Sequence, residues 1–224
     1  MKKRFVLLLA FILLLFTQII AQVDYGVNIG NNIATQTFFD PTKPDDGEIQ
    51  YDNLLGLNVG IWMNRYFSPS SVIKANLNYQ KLGYKEPVQT GNVQNGALED
   101  FHDLHLENRY NYLSFDLEYS YYLSKGKFKP FLLAGIRNSY FLSFNPNYKI
   151  DILEGSYPYY LIGDFKKFVF GWKAGVGVKL KEVVTLDFTF NRDLTPVIDK
   201  GTLETKNWFW SFNVYIGLRD LFHK

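Results

Sequence analysis

The side chains best suited to chemistry lie close together in residues 100–107, a segment rich in acidic residues and histidine. In an extended chain, Asp103, His105 and Glu107 would share one face, and His102 would lie beside Asp103. An imidazole between two carboxylates can act as a general base or bind a metal ion. The spacing matches no recognised metal-binding signature, and exposed loops are commonly acidic and hydrated. The segment therefore favours a solvated loop, with a hydrolase site at His102 or His105 as the alternative.

A second pair of carboxylates, Asp116 and Glu118, invites an interpretation as a general acid and a general base. Lys74 and Arg137 are expected on neighbouring strands, and burial of charged groups requires that they be paired. We therefore predict a structural network of buried charges in place of a catalytic pair. Its predicted members are Lys74, Asp116, Glu118, Arg137, Lys173, Lys179 and Asp187.

Residue types and motifs needed for several other chemistries are missing from the sequence. With 0 cysteines there is no disulfide, no thiolate nucleophile and no sulfur-bound zinc. There is no GxSxG motif and no P-loop. A net charge of +2 leaves no basic surplus that would favour nucleic acid. We expect a protein that is not an enzyme, has no cofactor or metal ion and does not bind nucleic acid.

The elements that would position these side chains have a period of two residues. Leu113, Phe115 and Leu117 alternate with Ser114 and Asp116, for example, which is typical of a β-strand with one apolar face. After Ala21 the period never approaches the 3.6 residues of a helix. We predict eight strands. Six are regular (55–63, 73–79, 113–121, 168–179, 184–191 and 208–219) and two are less so (23–34 and 130–142).

The predicted connections between these strands alternate in length. The long ones are residues 35–53, 85–108, 143–166 and 195–206, and the short ones are 65–71, 124–129 and 181–182. Outer-membrane barrels have short periplasmic turns, longer extracellular loops and both termini on the periplasmic side. The sequence therefore predicts an all-β fold, an eight-stranded antiparallel up-and-down transmembrane β-barrel.

The two faces of the predicted strands indicate which one meets lipid. One face is apolar, whereas the other carries lysines, arginines and carboxylates, a poor lining for an apolar ligand but a suitable one for a lumen of paired charges. We expect the apolar face to contact outer-membrane lipid. A soluble, lipocalin-like lipid carrier in the periplasm is the alternative. Aromatic residues at strand ends, among them Tyr66, Phe67, Tyr84, Tyr110 and Tyr140, are expected at the membrane interfaces.

The first 21 residues are predicted to be a signal peptide. Three cations at positions 2–4 precede a run from Phe5 to Ile20 in which only Thr17 and Gln18 are polar, and polar residues begin soon after Ala21. A permanent membrane anchor needs about 20 apolar residues, and this run is shorter. We therefore expect residues 1–21 to be cleaved on export and residues 22–224 to form one barrel domain in the outer membrane.

Four motifs resemble the PorT-like outer-membrane β-barrel family. They are Tyr25–Gly30, Arg109–Phe115, Pro130–Gly135 and the glycine-rich Trp172–Val178. The resemblance covers residues 23–222 and implies a barrel of about eight strands behind a signal peptide. Roles in this family are mostly unassigned, and one branch is similar to accessory proteins of a secretion and gliding apparatus.

The function expected from these observations is structural, binding or accessory to secretion. An eight-stranded barrel has room for little more than its own side chains, so a general porin is disfavoured. We expect the long connections, chiefly 85–108 and 143–166, to bind a protein or surface component. The alternatives are the loop hydrolase and the periplasmic carrier.

Overall fold

The computed structural model describes residues 23–39, 49–87, 105–147, 165–181, 183–200 and 203–219, and the structural statements below refer to these residues. No helix among them has both the length and the apolar character needed to cross a membrane. The predicted signal peptide lies outside them. The strands are β1 (Val23–Phe39), β2 (Ile49–Gln50), β3 (Asp52–Ser68), β4 (Ser71–Pro87), β5 (His105–Tyr122), β6 (Phe128–Asn147), β7 (Phe168–Leu180), β8 (Val184–Asp193), β9 (Ile198–Lys200) and β10 (Leu203–Gly217).

Eight long strands form a closed antiparallel barrel, as the sequence predicts. β1 pairs with β3, each later long strand pairs with the one before it, and β8 pairs with β10. β10 then returns to β1, with a register that runs from Gly26 opposite Gly217 to Phe39 opposite Glu204. Two short strands, β2 and β9, add to β1 and β10 at the end of the long connections. The fold prediction is confirmed.

The alternation of faces also follows the sequence. In β5, Phe115 is 51% exposed on the outside, whereas the next residue, Asp116, is completely buried in the lumen. β1, which is less regular by sequence, alternates equally well, because its inward positions are the small or polar residues Gly26, Asn28 and Gly30. The outer surface is apolar over most of its area, although Asn31, Asn138 and Arg192 also face outward.

Five of the long strands, β1, β3, β4, β5 and β6, have 17–20 residues and are longer than a membrane requires. About 9–11 residues of a tilted strand cross the hydrocarbon layer, whereas β4, β5 and β6 have 17, 18 and 20 residues. On β5 the exposed apolar positions run from Tyr121 to Leu113. The next positions on that face are polar: Asn111 is buried between Tyr79 and Ser143, and Arg109 and Glu107 are partly exposed. The strands β4, β5 and β6 therefore continue past the apolar band, toward the connections that the sequence predicts to be long.

Some predicted details are wrong. Tyr84 and Tyr110 do not lie at the membrane interface, because both occupy even-numbered positions that point into the lumen, where they are buried. Phe67 and Tyr140 are exposed on the outer face. The predicted long connections are shorter than expected, since β4 extends to Pro87 and β5 begins at His105.

Gly175 and Val176 are neighbours on β7, and they differ in the substitutions that they tolerate. A Cβ atom at Gly175 would overlap the carbonyl oxygen of Phe188, so Gly175→Ser requires movement of the backbone. The sequence predicts that Gly175→Ser is tolerated if the lumen has space, and the structure does not provide that space. Val176 is 52% exposed on the outer face, where side-chain size is not limited in this way.

We predict that Val176→Lys impairs barrel assembly, because a lysine that faces lipid is destabilising, by up to about 2–4 kcal/mol at the bilayer midplane. The measurement is the fraction of protein whose migration on a gel shifts on boiling, since a closed strand ladder resists detergent until it is heated. Val176→Leu is the matched control and should assemble like the native chain. Equal assembly of the lysine and leucine variants would mean that this face does not contact lipid.

Candidate functional site: the lumen and the projecting strands

A network of paired charges fills the middle of the lumen. Lys173 on β7 lies 3.1 Å from the Asp116 carboxylate and 2.7 Å from that of Glu118, both on β5. Lys74 on β4 lies 2.9 Å from Glu118 and 3.2 Å from Asp187 on β8. All five side chains are buried. Each carboxylate therefore contacts at least one ammonium group, as burial of charge requires.

Asparagine side chains extend this network to the strands on the opposite wall. Asn213 donates to Asp187 over 2.9 Å and accepts a hydrogen bond of 2.7 Å from Asn58. On the other side, Asn76 donates to Glu118 over 2.5 Å. Polar contacts thus cross the lumen from β5 through β4 and β8 to β10 and β3, so the network holds the walls of the barrel together.

Arg137 is paired differently from the sequence expectation. In register it lies opposite Asp116, but its guanidinium forms an ion pair with Asp193 at the end of β8. Asn207 donates to the other oxygen of Asp193 over 2.8 Å, and the Arg137 guanidinium lies over the ring of Phe209, 4.5 Å from its centroid. Asp193 is absent from the predicted network, although it continues the inward positions 187, 189 and 191 of its strand.

Aromatic residues fill the lumen at the end of the long connections. Tyr84, Tyr110 and Phe209 are buried there, and Phe165 packs against Phe141 with ring centroids 4.6 Å apart. Phe165 precedes β7 and pairs with Ile198 in an isolated bridge, so chain outside the eight long strands contributes to the cluster. This apolar layer separates the charge network from that end of the barrel.

Large side chains also narrow the end of the short turns. Val72, Tyr122, Phe131 and Leu133 form a second buried apolar cluster there. Lys179 belongs to the predicted network by sequence, but it lies at this end, 2.8 Å from the Tyr66 hydroxyl and 3.8 Å from Asp24. Asp24 was not among the predicted members.

A small cavity lies beside Lys74, next to the charge network. Its volume is about 10 Å³, and it is lined by residues that include Trp62, Asn64, Thr185 and Tyr215. A volume of that size holds about one water molecule. Asp116 and Glu118 are not among the residues that line this cavity, and both carboxylates are already bound to Lys173. The arrangement suits a structural role better than proton transfer.

The histidine-containing segment is only partly described. His102 and Asp103 lie outside the described residues, and the structure gives only the backbone position of His105, opposite Pro87. Glu107 lies 2.8 Å from Arg109 and 3.8 Å from Lys85, on the part of β4 and β5 that projects past the apolar band. Its carboxylate is thus engaged by two cations, and the described residues contain no group of three or more His, Asp or Glu side chains suited to a metal ion.

Comparison with known proteins agrees with this architecture. A family model described as "Outer membrane protein beta-barrel domain" matches residues 16–199. No curated protein matches. Among solved structures, Neisserial surface protein A is 12% identical, with a TM-score of 0.42 and coverage of 85% of this chain and 96% of that one.

Two further solved structures have similar statistics. OprG from Pseudomonas aeruginosa is 12% identical, with a TM-score of 0.44 and coverage of 87% of this chain and 92% of that one. The outer membrane enzyme PagL is 10% identical, with a TM-score of 0.41 and coverage of 81% of this chain and 97% of that one. The closed barrel, its apolar outer face and the matching family model lead to one conclusion: this chain belongs to the outer membrane protein beta-barrel domain family.

Proposed function

We propose that this protein is a non-enzymatic outer-membrane barrel whose projecting strands present the extracellular connections to a protein or surface component. The observation that carries the proposal is the extension of β4, β5 and β6 past the apolar band. Strands of 17–20 residues exceed what the membrane needs, so they form a rigid support for the segments 88–104 and 148–164. Rigid elements that hold loops in place are a common basis for binding.

The filled lumen supports the same proposal. A transport protein needs a continuous path, whereas here an aromatic cluster, a charge network and a second apolar cluster follow one another along the lumen. With the lumen occupied, the surfaces left for a partner are the outer face and the two rims. Of these, the rim with the long connections offers the most chain.

We further propose, from the resemblance alone, that the chain is of the PorT-like type, with a structural, binding or secretion-accessory role. Two of the four motifs that carry the resemblance lie in β1 and β7, where they supply small inward residues such as Gly26 and Gly175. Removal of residues 1–21 on export, and a single barrel domain over residues 22–224, belong to the same proposal.

PagL is described as an outer membrane enzyme, so a hydrolase that uses His102 or His105 is the second candidate.

The first prediction from the proposed function concerns conductance. Purified barrel in a planar lipid bilayer should show no steady open-channel current, because the lumen beside Lys74 has space for about one water molecule. Chain insertion is checked by the gel shift on boiling. Stable current steps from fully folded protein would contradict the closed lumen and favour a channel.

The second prediction concerns the charge network. Lys173→Met leaves Asp116 without its ammonium partner, and breaking a buried ion pair costs about 3–5 kcal/mol. We expect a marked loss of stability, measured as the free energy of unfolding by urea in lipid vesicles. Asp187 keeps its partners in this variant, because it is held by Lys74 and Asn213.

Lys167→Met is the control for this measurement, because Lys167 is exposed outside the lumen. It should change the free energy of unfolding by less than about 0.5 kcal/mol, as expected for an exposed site. If the two methionine variants were equally stable, the network would not stabilise the barrel, and a chemical role for Asp116 and Glu118 would need to be reconsidered.

The third prediction separates a binder from an enzyme. Replacement of residues 88–104 by a short Asn-Gly turn should leave the barrel folded and abolish affinity capture of its partner from native membranes. The double substitution His102→Ala and His105→Ala should keep capture within a few-fold, since isolated solvated side chains contribute little to binding.

For a hydrolase, the same double substitution has a different result. Loss of general-base catalysis lowers the rate by about 10²–10⁴. A barrel that folds normally but loses its cellular phenotype with His102→Ala and His105→Ala would therefore contradict the binding proposal and favour the enzyme.

A further inference from the structure

Two short turns place exposed lysines side by side at the periplasmic end. The turn between β5 and β6 contains Lys125 and Lys127, and the turn between β7 and β8 contains Lys181. The turns are adjacent, because the Lys181 backbone N–H donates to the Lys127 carbonyl oxygen over 3.1 Å. We call Lys125, Lys127 and Lys181 the basic patch.

The charges of the basic patch are not neutralised within the described residues. None of the ion pairs there involves Lys125, Lys127 or Lys181. Glu182 is the only acidic residue in positions 124–129 and 181–183 of the sequence, and it lies outside the described residues. By sequence, lysines therefore outnumber acids in these turns.

An apolar groove on the outer face begins directly beside these lysines. Its volume is about 530 Å³, and its lining residues belong to β6, β7, β8, β10 and the first turn. Leu123 and Phe128 flank the lysines of that turn, and both are more than half exposed. The outward lining residues include Leu123, Phe128, Leu132, Val176, Phe188 and Phe212, and the lining also contains Phe131 and Asp187, which are buried in the lumen.

We propose that the basic patch and the apolar groove together bind one anionic phospholipid of the periplasmic leaflet. The phosphate would lie against the lysines, and an acyl chain would lie in the groove. The groove is on the lipid-facing side of the barrel, so a lipid chain is the occupant that its surroundings supply.

Charge decides which class of lipid fits. Lysines near an anionic lipid surface are attracted to it. A zwitterionic headgroup carries its own ammonium group, which would oppose three lysines, whereas a phosphatidylglycerol headgroup has none. The position of the turns indicates the periplasmic leaflet, because short turns lie on the periplasmic side of outer-membrane barrels.

The test uses the full mature barrel in mixed detergent micelles that contain equal amounts of phosphatidylglycerol and phosphatidylcholine. Native mass spectrometry measures the lipid retained by each barrel. We expect one retained phosphatidylglycerol, favoured over phosphatidylcholine by about fivefold to tenfold. The triple substitution Lys125→Gln, Lys127→Gln and Lys181→Gln should bring this ratio close to one.

Two variants locate the site. Lys81→Gln, Lys167→Gln and Arg192→Gln remove three cations from the other end of the barrel and should leave the preference unchanged. Val176→Trp fills the groove and should reduce retention of both lipids. The gel shift on boiling shows that each variant is folded.

Three results would overturn the proposal. Equal retention of the two lipids by the native barrel would remove the role of the lysines. If only the variant with Lys81→Gln, Lys167→Gln and Arg192→Gln lost the preference for phosphatidylglycerol, the lipid would bind at the end with the long connections. Barrel dimers that disappear with Val176→Trp would assign the groove to a second copy of the chain.

Discussion

The pairing of β10 with β1 is the constraint on which the rest of the structure depends. Inside a bilayer no water is present to satisfy a free strand edge, so the ladder must close. Here the closing register extends over the full height of the barrel, from Gly26 opposite Gly217 to Phe39 opposite Glu204. Once the sheet is closed, every residue has one of two surroundings, lipid or lumen.

Closure also creates an interior that must be filled. The inward positions carry many polar residues, so the interior cannot be filled by apolar packing alone. The solution is layered: apolar clusters lie toward both ends, and the charges of Lys74, Lys173, Glu118 and their partners lie between them. In a low-dielectric interior an ion pair is strong and an unpaired charge is costly, so this filling holds the walls in one arrangement.

Because the interior of the barrel is filled by its own side chains, the surfaces at its two ends are the parts available for function. The strands β4, β5 and β6 continue beyond the apolar band, and the ion pairs of Glu107 with Arg109 and Lys85 lie on that extension. At the opposite end, the basic patch meets the apolar groove. The two ends thus differ in character: one carries ion pairs on projecting strands, and the other carries exposed lysines beside an apolar groove.

The sequence by itself determined the number of long strands, their faces and the burial of the lysines and carboxylates, because a period of two assigns each residue to one side of a closed sheet. The same period assigns Asp193, Tyr84 and Tyr110 to the lumen, although they were not recognised as lumenal. Only the tertiary structure decided which charged side chains form ion pairs with each other. Arg137 and Asp193 are 56 residues apart, and Lys74 and Asp187 are 113 apart. Such pairs form across the lumen, where the distance depends on strand tilt and register, and no local pattern of residues contains that information.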